Sequence, residues 1–574
     1  MSSSVGVSSV GSLLVRAAPS RARGGALSRR RKDDGWIVFR RNYSSSPITP
    51  FAGSERMRVA IIGGGPSGLS TALHLAPLAS AGLISSPIDI FEESPKQAKT
   101  ARSIGVGIWS TALEPFRVSD RPSHQLVWQK MTNQGSWIDQ VGYRTPNGDW
   151  LVHSRLATKH HDTTTTNTND EEEEDKHTPG LLFLRESDFH ATLRMAVAAE
   201  ELNHTIRVHA NTPVKSLHEQ SPHAWSAPLL LQDGTITERD YHLIVAADGI
   251  HSRLRKAYGG RRRRERRLTG ASAFPTTPNH STSQLKSSWE EHSHGETTQL
   301  EDRQYNVFRG NAPSDNNNIH NFQTWGEGKS MRFATVHMTH PAKDGTRHDK
   351  QVWFITTDDT TILQEQDPVQ RKKLLLDAFA DWHDPIGQMV ASTPAEEILA
   401  ERAMAHRHSI GPVDDMNEVL KRINKKRPPS SGRGPAMVFI GDAFMTVDPI
   451  LAQGFSVGME AAADLPASVA ASCQPFQDKE LLFDPYKLRS ELMTRHERRL
   501  DRLVCLLRAT EIVQALGQPR DGTMSGFLAK HVLRPLMKMA PNFVKTPFFN
   551  AMLTYSLGLG LSGNKKTIHP NNDK

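Results

Sequence analysis

Residues 57–68 read Met-Arg-Val-Ala-Ile-Ile-Gly-Gly-Gly-Pro-Ser-Gly. No other stretch restricts the fold as strongly. Val59 to Ile62 is a short β-branched apolar run, as expected of a strand buried on both faces of a parallel sheet. Gly63, Gly65 and Gly68 follow at G-x-G-x-x-G spacing around Pro66 and Ser67, and Leu69, Ala72, Leu73 and Ala76 continue at helical spacing. A tight turn at Gly63, close backbone approach at Gly65 and close helix–sheet packing at Gly68 would aim the helix N-terminus at a pyrophosphate. The triplet alone is a weak signal. Its position between strand and helix makes it specific.

The second strand is expected at Ile88-Asp-Ile-Phe-Glu-Glu, after a lengthened loop from Leu78 to Pro87. It ends at Glu92, 29 positions after Gly63. An acid there can accept the ribose hydroxyls of an adenosine and suits a cofactor without a 2′-phosphate, such as FAD or NAD. Glu93 is the alternative acid. Gly105 and Gly107 lie among apolar residues and imply backbone packed against something flat or bulky. Arg102 is an optional phosphate contact. Leu181 to Arg185 reads as a strand feeding a helix. Asp188 can help to cap that helix, and Arg185 at the junction can pair with a pyrophosphate or a carboxylate.

Two further segments carry chemistry. Leu243-Ile-Val-Ala-Ala-Asp248-Gly249-Ile-His-Ser252-Arg-Leu-Arg255 is a buried strand, an Asp-Gly turn and a helix opening with D-G-x-x-S-x-x-R spacing. It places a carboxylate at the carboxyl edge of a parallel sheet, where ligands sit. Val438-Phe-Ile-Gly441-Asp442-Ala443 leads to Gln453-Gly454 and a helix with small residues. Asp442 suits a ribityl hydroxyl. The backbone N–H groups at Gln453 and Gly454 can stabilise negative charge on an isoalloxazine N1/O2 edge.

The 574 residues carry a net charge of +8, which raises the question of nucleic acid. Nine basic and two acidic residues in 1–50 account for +7 of it, so the remainder is nearly neutral and a nucleic-acid role has little support. The first fifty residues are rich in Ser and Arg and poor in acid. This composition predicts a mitochondrial transit peptide, with a plastid address as the alternative. Cys473 and Cys505 are the only cysteines. They form no disulfide framework, and no metal-ligand spacing is present. Polar insertions are expected at 156–180 and 259–303, the second opening with six arginines and one glutamate at 261–267.

Alternating apolar and polar residues from Tyr305 to Thr357 predict antiparallel strands of a substrate domain. Residues 368–400 return to helix, with His383 read as a capped or packed histidine at the break. The expected domains are 57–258 and 401–470 for the cofactor, 304–400 for substrate, and a helical region at 471–574. Leu492, Leu500, Leu503 and Leu507 mark a packed helix in that last region. The apolar run from Phe548 is too short to span a bilayer. It either lies in a membrane interface or folds back onto the core.

In this order the segments resemble the class A flavoprotein monooxygenases, the FAD-dependent aromatic hydroxylase superfamily, over residues 57–465 outside the insertions. The Trp-Gly with Met331-Arg-Phe-Ala, and Trp-His-Asp-Pro-Ile, are similar to the subgroup of salicylate, urate and zeaxanthin oxygenases. The resemblance implies an α/β fold: a Rossmann-like FAD domain with a parallel sheet, a β-sheet substrate domain and C-terminal helices. It implies that Gly63, Gly65, Gly68 and Glu92 bind the ADP moiety and that Arg185 contacts phosphate and ribityl. Asp248-Gly249 then serves FAD and NAD(P)H, and Asp442 holds the ribityl chain. NADPH or NADH as co-substrate and O2 would hydroxylate or epoxidise an aromatic or polyene small molecule through a flavin C4a-hydroperoxide. The alternative is an oxidoreductase of the same fold without oxygen insertion. No catalytic side chain is assigned. The family's usual Gly before Gln-Gly is Ala452 here, and its usual Ala-His after Gly-Asp-Ala is Phe444-Met445.

Overall fold

The computed structural model describes residues 56–94, 105–156, 180–218, 225–255, 300–314, 321–326, 331–341, 347–406, 434–448, 451–475, 481–517, 527, 531–532 and 534–559. Residues 1–50, Arg102 and the interiors of both expected insertions lie outside this set.

Val59–Ile62 is the central strand of a five-stranded parallel sheet. Leu243–Ala246 and Ile88–Phe91 flank it, with Ala436–Phe439 and Ile206–His209 outside them. Val59–Ile62, Ile88–Phe91 and Leu243–Ala246 are buried at every position, which is why the first and third run apolar instead of alternating, while the second breaks the run only at Asp89. The helix Pro66–Ser80 follows the first strand and buries Leu69, Ala72, Leu73 and Ala76. It continues through Pro77 to Ser80, so the loop expected from Leu78 starts at Ala81. Gly454–Ser472 and Glu186–Leu202 pack against it.

The second layer is a seven-stranded sheet. From one edge it runs Leu399–His406, Leu300–Pro313, Arg347–Thr357, Met331–Pro341, Asn321–Gly326, Gln140–Arg144, Trp150–Arg155. Every pairing is antiparallel except Asn321–Gly326 with Gln140–Arg144. Strand alternation sends Phe333, Trp353 and Ile355 to one core, under the helices Pro368–Ala378 and Ile386–Ser392. It sends Val336, Met338 and Val352 to another, under Leu503, Leu506, Phe549 and Leu553 of the C-terminal helices. Both faces are therefore covered.

Three expected boundaries are corrected. Gln140–Arg144 and Trp150–Arg155, placed in the cofactor domain by sequence, belong to the seven-stranded sheet. The boundary at 401 falls inside Leu399–His406, which pairs with Leu300–Pro313, and that strand starts four residues before the expected 304. Each error has one cause: pairing partners distant in sequence decide membership of a sheet, and local composition does not report them. The ends of the first insertion also belong to the fold. Leu156 is buried, and Gly180 N–H donates to Ser110 Oγ at 3.1 Å. The C-terminal region opens with a two-stranded ribbon, Cys473–Pro475 with Leu481–Phe483, before the helix Pro485–Gly517.

A buried carboxylate braces the parallel sheet. Asp89 accepts from His209 Nε2 at 2.8 Å and Tyr241 Oη at 3.1 Å, with Arg239 Nη1 at 3.6 Å. Burial and then the Asp89 charge push the Tyr241 phenol up. Asp89→Ala strands these partners and is expected to lower stability by about 3 kcal/mol. Asp89→Asn, which retains an acceptor, should lose clearly less. Urea midpoints of the two variants check this.

Candidate functional site

The glycine turn is built on backbone contact. Gly63 has φ +107°, its N–H donates to Phe91 O at 2.8 Å, and a Cβ there would lie 2.3 Å from Ala247 O. Gly68 meets the Gly63 carbonyl so closely that a Cβ would stand 1.9 Å from it. Gly65 caps the helix in extended conformation, with Pro66 at the first helical position and no side-chain cap. Nothing stands within 4 Å of where its Cβ would be. The open side of Gly65 and the uncapped positive end of the helix form an anion seat.

Glu92 ends the second strand beside this turn. Its Oε2 accepts from Gly64 N–H at 2.6 Å and its Oε1 from Ser94 N–H at 2.8 Å. Glu93, the alternative acid, points outward and pairs with Arg253 at 2.7 Å. The structure therefore brings Glu92, and not Glu93, to the turn.

Ala247 N–H donates to Ile62 O at 2.8 Å, which sets the Asp248-Gly249 turn against Gly63. Gly249 takes φ +75°. Asp248 Oδ2 accepts from the N–H groups of Arg253 and Leu254 at 2.9 and 3.3 Å, capping the helix that opens there. Its Oδ1 is buried and meets no hydrogen-bond partner. Arg255, at the end of the motif, is buried. It donates to Asp442 O and Ala443 O at 3.0 and 2.8 Å, and to Ile250 O at 2.6 Å.

That clamp joins the second motif to the third. Gly441 has φ +55°. Ser67 Oγ lies 2.3 Å from where a Cβ on Gly441 would be and 2.2 Å from one on Gly458, so the first motif meets the third as well. Asp442 keeps more than a third of its surface open. Desolvation pushes its carboxyl up to about 6, against the pull of Arg255. Because Arg255 bonds backbone carbonyls, the carboxylate remains available.

Gln453 and Gly454 start the helix Gly454–Ser472, as the sequence requires. Ala452 before them is left-handed, φ +51°, the conformation for which glycine is the usual residue. The Gln453 side chain is fully buried: Nε2 donates to Ser556 Oγ at 2.9 Å, and Oε1 accepts from Arg502 at 2.8 Å. Arg502 also pairs with Glu460 at 3.2 Å, and Glu460 accepts from Thr111 Oγ1 at 2.6 Å. Sequence reading missed this tie. Its only trace is an arginine on a leucine-rich helix, and nothing local marks its partners.

Arg185 ends its strand as expected and bonds Asp188 at 2.7 Å. Its strand pairs with Gly105–Trp109. The bulky neighbour expected of Gly105 and Gly107 is Phe183, whose ring lies 2.1 Å from a Cβ built on Gly105. Gly107 abuts Ala452, with 3.1 Å between a Cβ there and the Ala452 Cβ. His383 is packed, stacked 6.4 Å from Trp325. A mostly apolar cavity of about 130 Å³ touches Gly441, Phe444, His496 and Arg502. It shares Gly441 with the third motif and includes none of the glycine turn, Glu92 or Asp248.

Gly63 and Gly65 respond to substitution in opposite ways. Gly63→Ala drives a Cβ into a carbonyl at positive φ and is expected to cost about 3 kcal/mol. Gly65→Ala meets no protein atom and should cost under about 1 kcal/mol, while blocking a ligand at the helix end. Thermal melts with FAD fluorescence quenching separate the two effects.

No protein-family model and no curated protein matches the sequence. Solved structures do. HpxO of Klebsiella pneumoniae, complexed with FAD and uric acid, is 16% identical with a TM-score of 0.57, over 88% of this chain and 98% of its own. CtdE in complex with FAD and a substrate is 14% identical with a TM-score of 0.52, over 87% and 99%. The tetrameric form of 2-methyl-3-hydroxypyridine-5-carboxylic acid oxygenase is 13% identical with a TM-score of 0.50, over 83% and 96%. Over most of its length the chain has the fold of the class A FAD-dependent aromatic hydroxylases.

Proposed function

We propose that the protein is an FAD-dependent monooxygenase that uses NADPH or NADH and O2 to hydroxylate or epoxidise an electron-rich small molecule, aromatic or polyene. One observation carries the reading: Gly63–Gly68, Asp248–Gly249 and Gly441–Asp442, far apart in sequence, meet at one edge of the parallel sheet through Ser67, Ala247 and Arg255. HpxO and CtdE, which share the fold, were each solved with FAD.

The residues fit the cofactor. The open face of Gly65, with Pro66 and Ser67 at the helix N-terminus, suits the pyrophosphate, and Arg185 can add a cation to it. Glu92 can exchange its bonds to Gly64 and Ser94 for ribose hydroxyls. The unpartnered Asp248 Oδ1 and the open Asp442 carboxylate offer acceptors to hydroxyls, and Gly249 and Gly441 let the backbone turn beside them. The N–H groups at Gln453 and Gly454 lie at a helix N-terminus that favours negative charge. FAD, when bound, supplies hydride acceptance and dioxygen activation. The chain's task is to position substrate and exclude water. The basic, Ser-rich residues 1–50 support a mitochondrial destination, or a plastid one as the alternative.

Purified protein should be yellow and should oxidise NADH or NADPH faster when offered the right phenol, purine or polyene. One atom of isotopically labelled O2 should enter the product per nicotinamide consumed. Substrate-dependent oxidation without label incorporation would instead favour the oxidoreductase alternative. FAD affinity carries a pH signature. Asp442 holds its proton up to about 6, and a hydroxyl donates more strongly to the ionised form. Quenching titrations should show binding tightening as pH rises through about 6, and Asp442→Asn should flatten the curve.

A further inference from the structure

Among the described residues sixteen large hydrophobic side chains are exposed, and eight of them lie between Phe527 and Leu559. The helix Asn542–Ser556 shows why. Lys545, Phe549, Met552, Leu553 and Ser556 recur at helical spacing and are buried. Phe549, Met552 and Leu553 share a core with Leu503 and Leu506. The opposite side carries Phe543, Val544, Pro547, Phe548 and Ala551, all exposed, with Phe543 at 78%. Lys545 is the helix's only charged residue, and it is turned inward. The outer face therefore has no charge where a solvent-facing helix carries several.

The preceding helix, Arg534–Met539, continues this surface with Leu536 and Met539, the latter 84% exposed. Only Ala540 and Pro541 separate the two helices. From Gly522 to Asn572 the sequence holds five lysines and arginines besides the inward Lys545, and no Asp or Glu. Among the described residues no helix is long and apolar enough to cross a membrane. Contiguous exposed apolar surface marks an interaction site. Amphipathic segments with basic residues and no acids bind anionic lipid in the plane of the interface.

We propose that this face docks the protein on an anionic lipid bilayer, with Met539, Phe543, Val544 and Phe548 entering the interface. This holds independently of the flavin reading, because it rests on a different surface and a different measurement. The test is co-sedimentation of the full chain with vesicles of phosphatidylcholine, with or without about a third phosphatidylserine. Residues 1–50 carry +7 of their own, so the informative quantity is a difference between variants. Phe543→Ser with Phe548→Ser should weaken binding to the anionic vesicles by about tenfold or more, at an unchanged melting temperature. Val118→Ser with Val369→Ser, exposed elsewhere at 63% and 61%, should leave it unchanged. Equal binding by wild type and the first variant overturns the proposal, as does no binding by either. A wild-type dimer in light scattering that the first variant dissolves, without a change in vesicle binding, overturns it in favour of a second copy of the chain.

Discussion

The contact between Gly63 and the carbonyl of Ala247 fixes where everything else in the crevice stands. At the carboxyl ends of three neighbouring parallel strands, Ile62 O accepts from Ala247 N–H while Gly63 N–H donates to Phe91 O. No side chain fits at Gly63, so the chain turns at once, and Gly68 brings the helix against that same turn. The helix N-terminus, Glu92 and Asp248 are thereby delivered to one edge of the sheet, where open α/β sheets bind ligands.

The C-terminal helices anchor the loop before Gly454. The loop before Gly454 passes through a left-handed alanine, which costs about 1 kcal/mol relative to glycine. A hydrogen bond from the charged Arg502 to Gln453, contributing about 1.5–3 kcal/mol, holds it there. Arg502 ties Glu460 to the same cluster, and Glu460 in turn reaches Thr111. Ala452 is thus tolerated at a glycine position because the residue after it is anchored from two other helices.

What was legible in the sequence was local. The glycine turn, the Asp-Gly turn and Gly-Asp each announce their own backbone conformation, and the structure has positive φ at Gly63, Gly249 and Gly441. Val59–Ile62 and Leu243–Ala246 announce themselves as unbroken apolar runs. What escaped was non-local. The hairpin of Gln140–Arg144 and Trp150–Arg155 carries no mark that its partner is Asn321–Gly326, more than 150 residues away. The Gln453–Arg502 bond is silent for the same reason. Glu92 and Glu93 are indistinguishable until strand geometry turns one toward Gly64 and the other toward Arg253. The Rossmann-like layer therefore followed from short motifs, whereas the extent of the sheet above it depended on pairings that only folding reveals.

The polar groups of the crevice show a deliberate imbalance. Arg255 stands beside two carboxylates, yet it bonds the backbone oxygens of Asp442, Ala443 and Ile250. Asp248 uses one oxygen as a helix cap and leaves the other buried without a partner. A buried acceptor left unbonded, as Asp248 Oδ1 is, costs about 1–3 kcal/mol. Groups held in this way raise the free energy of the ligand-free chain and lower it when hydroxyls or phosphates arrive. A ligand that satisfied these acceptors would couple its binding to folding stability, and the acceptors lie on two motifs that the sequence keeps almost two hundred positions apart.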